Sequence, residues 1–203
     1  MTRAPRSDLR EAIIRASVEP GSRLGEEGLT MRAIAKRLGI SATALYQHFE
    51  SKAAILHEIR IYGADLLQRE IVEPVADIDD PLARIKAAAD AYIAFARVHP
   101  WIYAVLMEHE QINYADMGAD EIASFLRPLT AVRTWLREGR ERGLIRDDLD
   151  PDMSSLRIIA TLHGLASMLN SGRFDEEHPA VPIRNQEAFV RDFIDSMICA
   201  LRK

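Results

Sequence analysis

The chain holds 203 residues, 48% hydrophobic and 28% charged, with a formal net charge of -5; this is the balance of a globular protein with a packed core and excludes a disordered or fibrous chain. The single cysteine, Cys199, excludes an internal disulfide and a zinc-finger spacing, and makes a reducing cytoplasm the expected compartment. No stretch reaches the roughly 18 apolar residues of a membrane span, and the amino terminus lacks the pattern of a secretory signal, so a cytoplasmic protein with no membrane contact is predicted.

Apolar residues recur at spacings of three and four, as in Ile55, Leu56, Ile59, Tyr62, Leu66 and Leu67, and no alternating strand pattern of useful length occurs. The expected fold is all-α with about nine helices. The first runs from Ser7 to about Glu19, where Pro20-Gly21 disturbs it because proline lacks an amide donor. Thr30 caps a second that stops at Gly39, a residue able to take the left-handed conformation that ends a helix. Ser41 caps a third through His48, and a fourth runs from Ser51 to Glu73, ended by Pro74. Asp80-Pro81 opens a fifth to Val98, with the cap followed by proline at the first helical position. Pro100 opens a sixth to Glu110. The seventh spans Gly118 to Arg142 with a kink expected at Pro128, the eighth Pro151 to Gly172, and the ninth starts at Asn185; residues 173–184 form a loop.

The stretch "TMRAIAKRLGISATALYQHFESK" (residues 30–52) lies in the one basic region. Residues 1–60 carry ten Lys/Arg against seven acids, whereas the remainder is strongly acidic, an asymmetry that points to a front meeting a polyanion. Helices two and three are joined by about four residues, the short connection of a helix-turn-helix. Met31, Ile34, Ala35, Leu38, Ile40, Leu45 and Phe49 form its inner face. Ala42, Thr43, Ala44, Tyr46, Gln47 and His48 then point outward or sideways: hydrogen-bonding tips beside alanines small enough to enter a major groove. Lys52, with the free amides at the start of helix four, suits a phosphate, and Thr30 suits a second. Such contacts position a reader, and base-edge contacts choose the sequence. Arg3 and Arg6 are candidates for a minor-groove arm, with a disordered tail the alternative.

The segments "LTMRAIAKRLGIS" and "ALYQHFESK" resemble the DNA-binding domain of the tetracycline-repressor (TetR) family of bacterial transcriptional regulators. The resemblance implies that Thr30, Tyr46, His48 and Lys52 bind backbone phosphates, and that Arg32, Ala42, Thr43, Ala44 and Gln47 sit at bases, with Ser41 at the head of the reading helix. The family's first helix normally continues where this chain reads "VEPGSRLGEEG"; Leu24 is expected to plug the gap. A division into a reading domain (1–52) and a helical effector-binding and dimerisation domain (53–203) follows.

"AYIAFARVHPWIYAVLM" (91–107) and "ATLHGLASMLNSGRF" (160–174) are similar to the carboxy-terminal domain of the TetR subgroup named for a Trp-His-Gly motif, with His163-Gly164 kept and Leu162 at the tryptophan position. Helices eight and nine are apolar around more than one side and need more than one cover. A homodimer interface through Leu156, Ile159, Leu165, Phe189, Phe193 and Met197 is predicted, which suits palindromic half-sites roughly 34 Å or more apart. Phe95, Trp101, Tyr103, Met107, Trp135 and His163 are either core or the lining of a cavity for a largely apolar small-molecule effector.

No Walker loop, G-x-G-x-x-G, G-x-S-x-G or H-E-x-x-H occurs, and no cofactor or metal is expected; Glu108, His109 and Glu110 read as a solvated helix end. The predicted function is a non-enzymatic, ligand-controlled, double-stranded-DNA-binding repressor. A helical interaction scaffold without sequence-specific DNA binding is the alternative, and a helical enzyme using His99, His109 or His163 has no motif behind it.

Overall fold

The computed structural model describes residues 11–18, 28–107 and 117–203. The expectations placed on Arg3, Arg6, Ser7, Glu19, Pro20, Gly21, Leu24, Glu108, His109 and Glu110 lie outside the described residues.

Among the described residues the secondary structure is helical, with one isolated bridge between Ile145 and Arg202. Helix α1 covers residues 11–18. It is followed by α2 (Met31–Leu38), α3 (Ala42–Tyr46), α4 (Lys52–Leu67), α5 (Pro81–Val98) and α6 (Pro100–Met107). Helices α7 (Ala119–Glu141), α8 (Pro151–Asn170) and α9 (Gln186–Leu201) complete the series.

Punctuation in the sequence accounts for most of these ends. Asp80 Oδ1 accepts the amides of Leu82 and Ala83 at 2.8 and 3.0 Å, and Asp150 Oδ1 accepts that of Met153 at 2.7 Å. Each satisfies donors that the first helical turn leaves orphaned, and in each case proline follows where no donor is needed. Helix α7 runs from Ala119 to Glu141 with Pro128 inside it, close to the expected span. One expectation needs correction. The fourth helix stops being α at Leu67 and passes into a π turn at Gln68–Val72 and a 3-10 turn at Glu73–Val75. Pro74 explains the change, because it cannot donate to the carbonyl four residues back and its ring crowds that carbonyl, so the chain rewinds around it.

The chain forms two compact units, Met1–Gly63 with Pro100–Gln111, and Ala64–His99 with Ile112–Lys203. The expected boundary at 52/53 falls inside the first unit, at the start of α4. That unit is built on a cluster including Ile13, Leu29, Ile34, Leu45, Ile55 and Ile59, all at 0% exposure, to which α6 adds Trp101 and Val105. In the second unit α5, α7, α8 and α9 enclose Ile85, Phe95, Leu136, Ile158, Leu162, Leu165 and Ile194.

Polar ties fix the second unit's helices in register. Arg84 donates to Glu138 at 2.9 Å and to the Ile78 carbonyl at 2.7 Å, and its guanidinium lies 5.8 Å from the Trp135 ring. Asn170 Nδ2 donates to the Ala96 carbonyl at 3.0 Å, joining α8 to α5. The end of α9 is clipped to the α7–α8 connection by Arg146 N–H to the Leu201 carbonyl and Lys203 N–H to the Leu144 carbonyl, both 3.1 Å. Within that connection Arg146 donates to both oxygens of Asp148 and holds its carboxyl below the usual carboxylate range.

Candidate nucleic-acid interface

Helices α2 and α3 are set by three local devices. Thr30, extended at φ -115°, receives the Ala33 amide on Oγ1 at 3.1 Å. Gly39 then takes the left-handed conformation at φ 65°, with its N–H donating to Lys36 and that of Ile40 to Ala35, at 3.2 and 3.0 Å. This 5→2 and 6→1 pair is the Schellman arrangement, which turns the chain sharply and satisfies the last carbonyls. Finally Ser41 Oγ receives the Ala44 amide at 3.0 Å to start α3, and Ser51 Oγ receives the Ala54 amide at 3.1 Å to start α4.

The turn so built buries one face and presents the other. Met31, Ile34, Ala35, Leu45 and Phe49 are buried in the unit's core, and Leu38 and Ile40 pack against it. Thr30, Arg32, Ser41, Thr43, Tyr46 and Gln47 are exposed, Tyr46 at 53%. Ala44, His48 and Lys52 are half-buried. Ala42, expected outward or sideways, is half-buried and packs against the core cluster. The surface therefore offers hydroxyl, phenol and amide tips from α3 and a guanidinium from α2, with the start of α4 beside them. This chemistry matches base edges and phosphate oxygens.

The six residues considered for an effector are divided between the two units. Trp101 belongs to the hydrophobic core of the first unit together with Ile13, Ile55 and Ile59, so its area is spent on packing there. Tyr103 is fully buried and Met107 half-buried on the same helix. Phe95, Trp135 and His163 fall in the second unit. Phe95 packs against His99 with ring centroids 5.1 Å apart, and Trp135 faces Arg84. Two grooves of the second unit, about 430 Å³ between α5 and α9 and about 420 Å³ between α8 and α9, have none of the six in their walls.

The residues considered for dimerisation also divide. Leu156 is 45% exposed, whereas Leu165 is 3% exposed and belongs to its own subunit's core. The helical period places it with Ile158 and Leu162, on the side that faces α5 and α7. Phe189 is half-buried and meets Phe174 edge-on at 5.4 Å, and Ile159 is half-buried as well. Phe193 and Met197 line the α8–α9 groove. Met153, 54% exposed, and the exposed Ala160 and Gly164 were not among the residues considered for dimerisation. Their spacing with Leu156 at three and four carried the signal, which small side chains made faint.

Comparison with known proteins decides the family. Residues 13–59 match the family described as "Bacterial regulatory proteins, tetR family", and residues 85–196 match the "Tetracyclin repressor-like, C-terminal domain". The chain belongs to the tetR family. This tetR-family chain is a DNA-binding transcriptional regulator with the family's all-α fold. It is 28% identical over 157 residues to the nucleoid occlusion factor SlmA of Vibrio cholerae, covering 76% of this chain and 80% of that protein. Over 47 residues, 23% of this chain and 22% of that one, it is 51% identical to the class C tetracycline repressor of Escherichia coli. The crystal structure of AibR in complex with isovaleryl coenzyme A and operator DNA shares the fold, with a TM-score of 0.68, 21% identity and 98% of each chain covered. No helix among the described residues of the tetR-family chain is long and apolar enough to cross a membrane.

Proposed function

We propose that this regulator is a cytoplasmic, dimeric repressor that binds a palindromic operator through α3, with its hold on the operator controlled by a largely apolar small molecule bound in the second unit. The observation that carries this reading is the exposure of Thr43, Tyr46 and Gln47 directly above the buried pair Leu45 and Phe49. In this reading Tyr46, His48, Lys52 and Thr30 hold phosphates, while Arg32, Ala42, Thr43, Ala44 and Gln47 face bases, and Ser41 sets the head of α3. Phosphate contacts set the register and most of the affinity, and base contacts set the choice of sequence.

Control follows from linkage. An effector shifts the reading unit only by the difference in its affinity for the binding and non-binding states. Helix α4 begins at the reading surface, and its residues from Ala64 on belong to the second unit. AibR is known in complex with isovaleryl coenzyme A and operator DNA, so a short acyl-coenzyme A, whose acyl group is apolar and whose carrier is anionic, is tried beside purely apolar molecules. Footprinting on the DNA flanking its own gene, with and without acyl-coenzyme A, fatty acid and steroid panels, tests the proposal. Protection of a palindrome that one panel member abolishes or strengthens supports it; no protection at low salt, with or without any panel member, contradicts it.

A further inference from the structure

Helices α5 and α9 of the second unit are tied to each other at two points. Lys86 Nζ lies 2.6 Å from Asp195 Oδ1 and 3.8 Å from Asp90 Oδ2, and further along α5 Arg97 Nη2 donates to Gln186 Oε1. At about 1.5 Å per residue the ties stand about 16 Å apart along α5 and about 14 Å apart along α9. The two helices therefore run antiparallel and nearly side by side. Between the ties is the groove of about 430 Å³, with Ile93, Ala94 and Val190 in its walls. Alanine and valine are too short to fill the width that the long side chains at either end bridge.

Charge is sorted along this groove. At one end Lys86 is shared between two carboxylates. At the other, Arg97 meets a neutral amide, whose Nε2 donates to the Phe174 carbonyl at 2.9 Å and to Asp175 Oδ1 at 3.1 Å. Those two bonds turn Gln186 Oε1 toward Arg97 and set Asp175 on the far side of the amide. Arg191, exposed on α9, lines the groove and has no ion pair among the described residues. Helical side chains lean toward their own amino terminus. On antiparallel helices this inclines Arg97 and Arg191 toward each other, and inclines Glu187, the acid of the walls nearest Gln186, away from both. A guanidinium offers a planar fork of N–H donors that a carboxylate fits two at a time.

We propose that the α5–α9 groove binds a medium-chain monocarboxylate, with its carboxylate between Arg97 and Arg191 and its alkyl chain over Ile93 and Val190 toward the methylene stem of Lys86. A lysine stem covers apolar surface while its ammonium stays with charged partners. An extended chain advances about 1.25 Å per bond, as a polypeptide does over the three bonds of each residue, so octanoate reaches about 9 Å from its carboxylate. From the level of Ala94 to Lys86 is about 12 Å along α5. Octanoate therefore fits, and chains much longer than decanoate run into the tie between Lys86 and Asp195. The inference goes beyond the operator reading: it assigns a ligand site from the second unit alone, and its test uses no DNA.

The test is titration of the full chain with sodium octanoate, followed by amide NMR shifts and by isothermal calorimetry. Saturable binding is expected, with shifts at residues 90–97 and 187–191. Affinity rises about twofold per methylene from butanoate to octanoate, half the effect of full burial because the groove is open on one side, and levels off beyond decanoate. Octanol, which has the chain and no charge, binds at least about tenfold more weakly, and octanoate loses about tenfold in Arg97→Gln or Arg191→Gln. Ala94→Glu, which sets a like charge in the groove, removes binding. Arg157→Gln, in the α8–α9 groove, leaves it at the wild-type value. Circular dichroism checks the helix content of each variant; if Arg97→Gln loses helix together with its tie to Gln186, Arg191→Gln alone carries the result. No saturable binding to the wild type overturns the proposal, as does binding that is unchanged in both arginine variants or that falls with Arg157→Gln. Each of these outcomes leaves the operator reading standing.

Discussion

Leu45 and Tyr46 are neighbours on α3 with opposite duties, and replacing each in turn separates folding from recognition. Leu45 is at 0% exposure within the core of the reading unit, and Tyr46 is 53% exposed. Leu45→Ala deletes three buried carbons and leaves a cavity, a loss of about 2 to 5 kcal/mol. That is a large share of the roughly 5 to 15 kcal/mol holding a protein folded, so the variant melts at markedly lower temperature. Tyr46→Ala removes a ring already half in water and changes stability by about 0.5 kcal/mol or less. A hydrogen bond to a charged phosphate is worth about 1.5 to 3 kcal/mol; lost in both copies of a dimer, it lowers operator affinity by roughly a hundredfold to ten-thousandfold. Tyr46→Phe, which removes only the hydroxyl, shows most of this loss. Thermal unfolding and fluorescence anisotropy with an operator fragment, at one fixed salt concentration, measure both quantities. Wild-type affinity for Tyr46→Phe and Tyr46→Ala together would refute the phosphate role, and an unchanged melting point for Leu45→Ala would refute the packing role.

Lys52→Ala should weaken binding to all sequences alike and lower the slope of log affinity against log salt by about 0.9 per copy, measured by titration from low to high salt. Substitutions at Thr43 or Gln47 should instead reorder a set of operator variants, by about 1 to 3 kcal/mol per base pair, with unfolding unchanged. Gly39→Ala should destabilise by about 1 to 2 kcal/mol through conformation alone, since the residue lies at φ 65° with open space around it; Gly39→Asn should cost less. Gly139→Ala should cost about 1 to 3 kcal/mol for a different reason: its Cβ would lie 2.5 Å from Ile145 Cδ1 and 2.9 Å from Cγ1. Ile145→Val, which removes Cδ1, should recover part of that loss, and chemical denaturation of the four-member cycle measures the coupling.

Local chemistry alone determined the reading module. Thr30, Gly39, Ser41 and Ser51 act on amides and carbonyls within five residues of themselves, so their effect is written in the chain wherever it folds, and the apolar spacing of Met31, Ile34, Leu45 and Phe49 needs only one face to be hidden. The same holds for Asp80-Pro81 and Asp150-Pro151. Which core each aromatic joins was decided at long range. Trp101 and Phe95 lie six residues apart in sequence, yet one packs into the reading unit and the other into the second unit, because α5 and α6 part company at His99-Pro100. Leu156 and Leu165 look alike by composition, but the tertiary fold turns Leu165 inward on α5 and α7 and leaves Leu156 in water. A helix's period says which residues share a side; only the neighbours that pack against it say which side is covered.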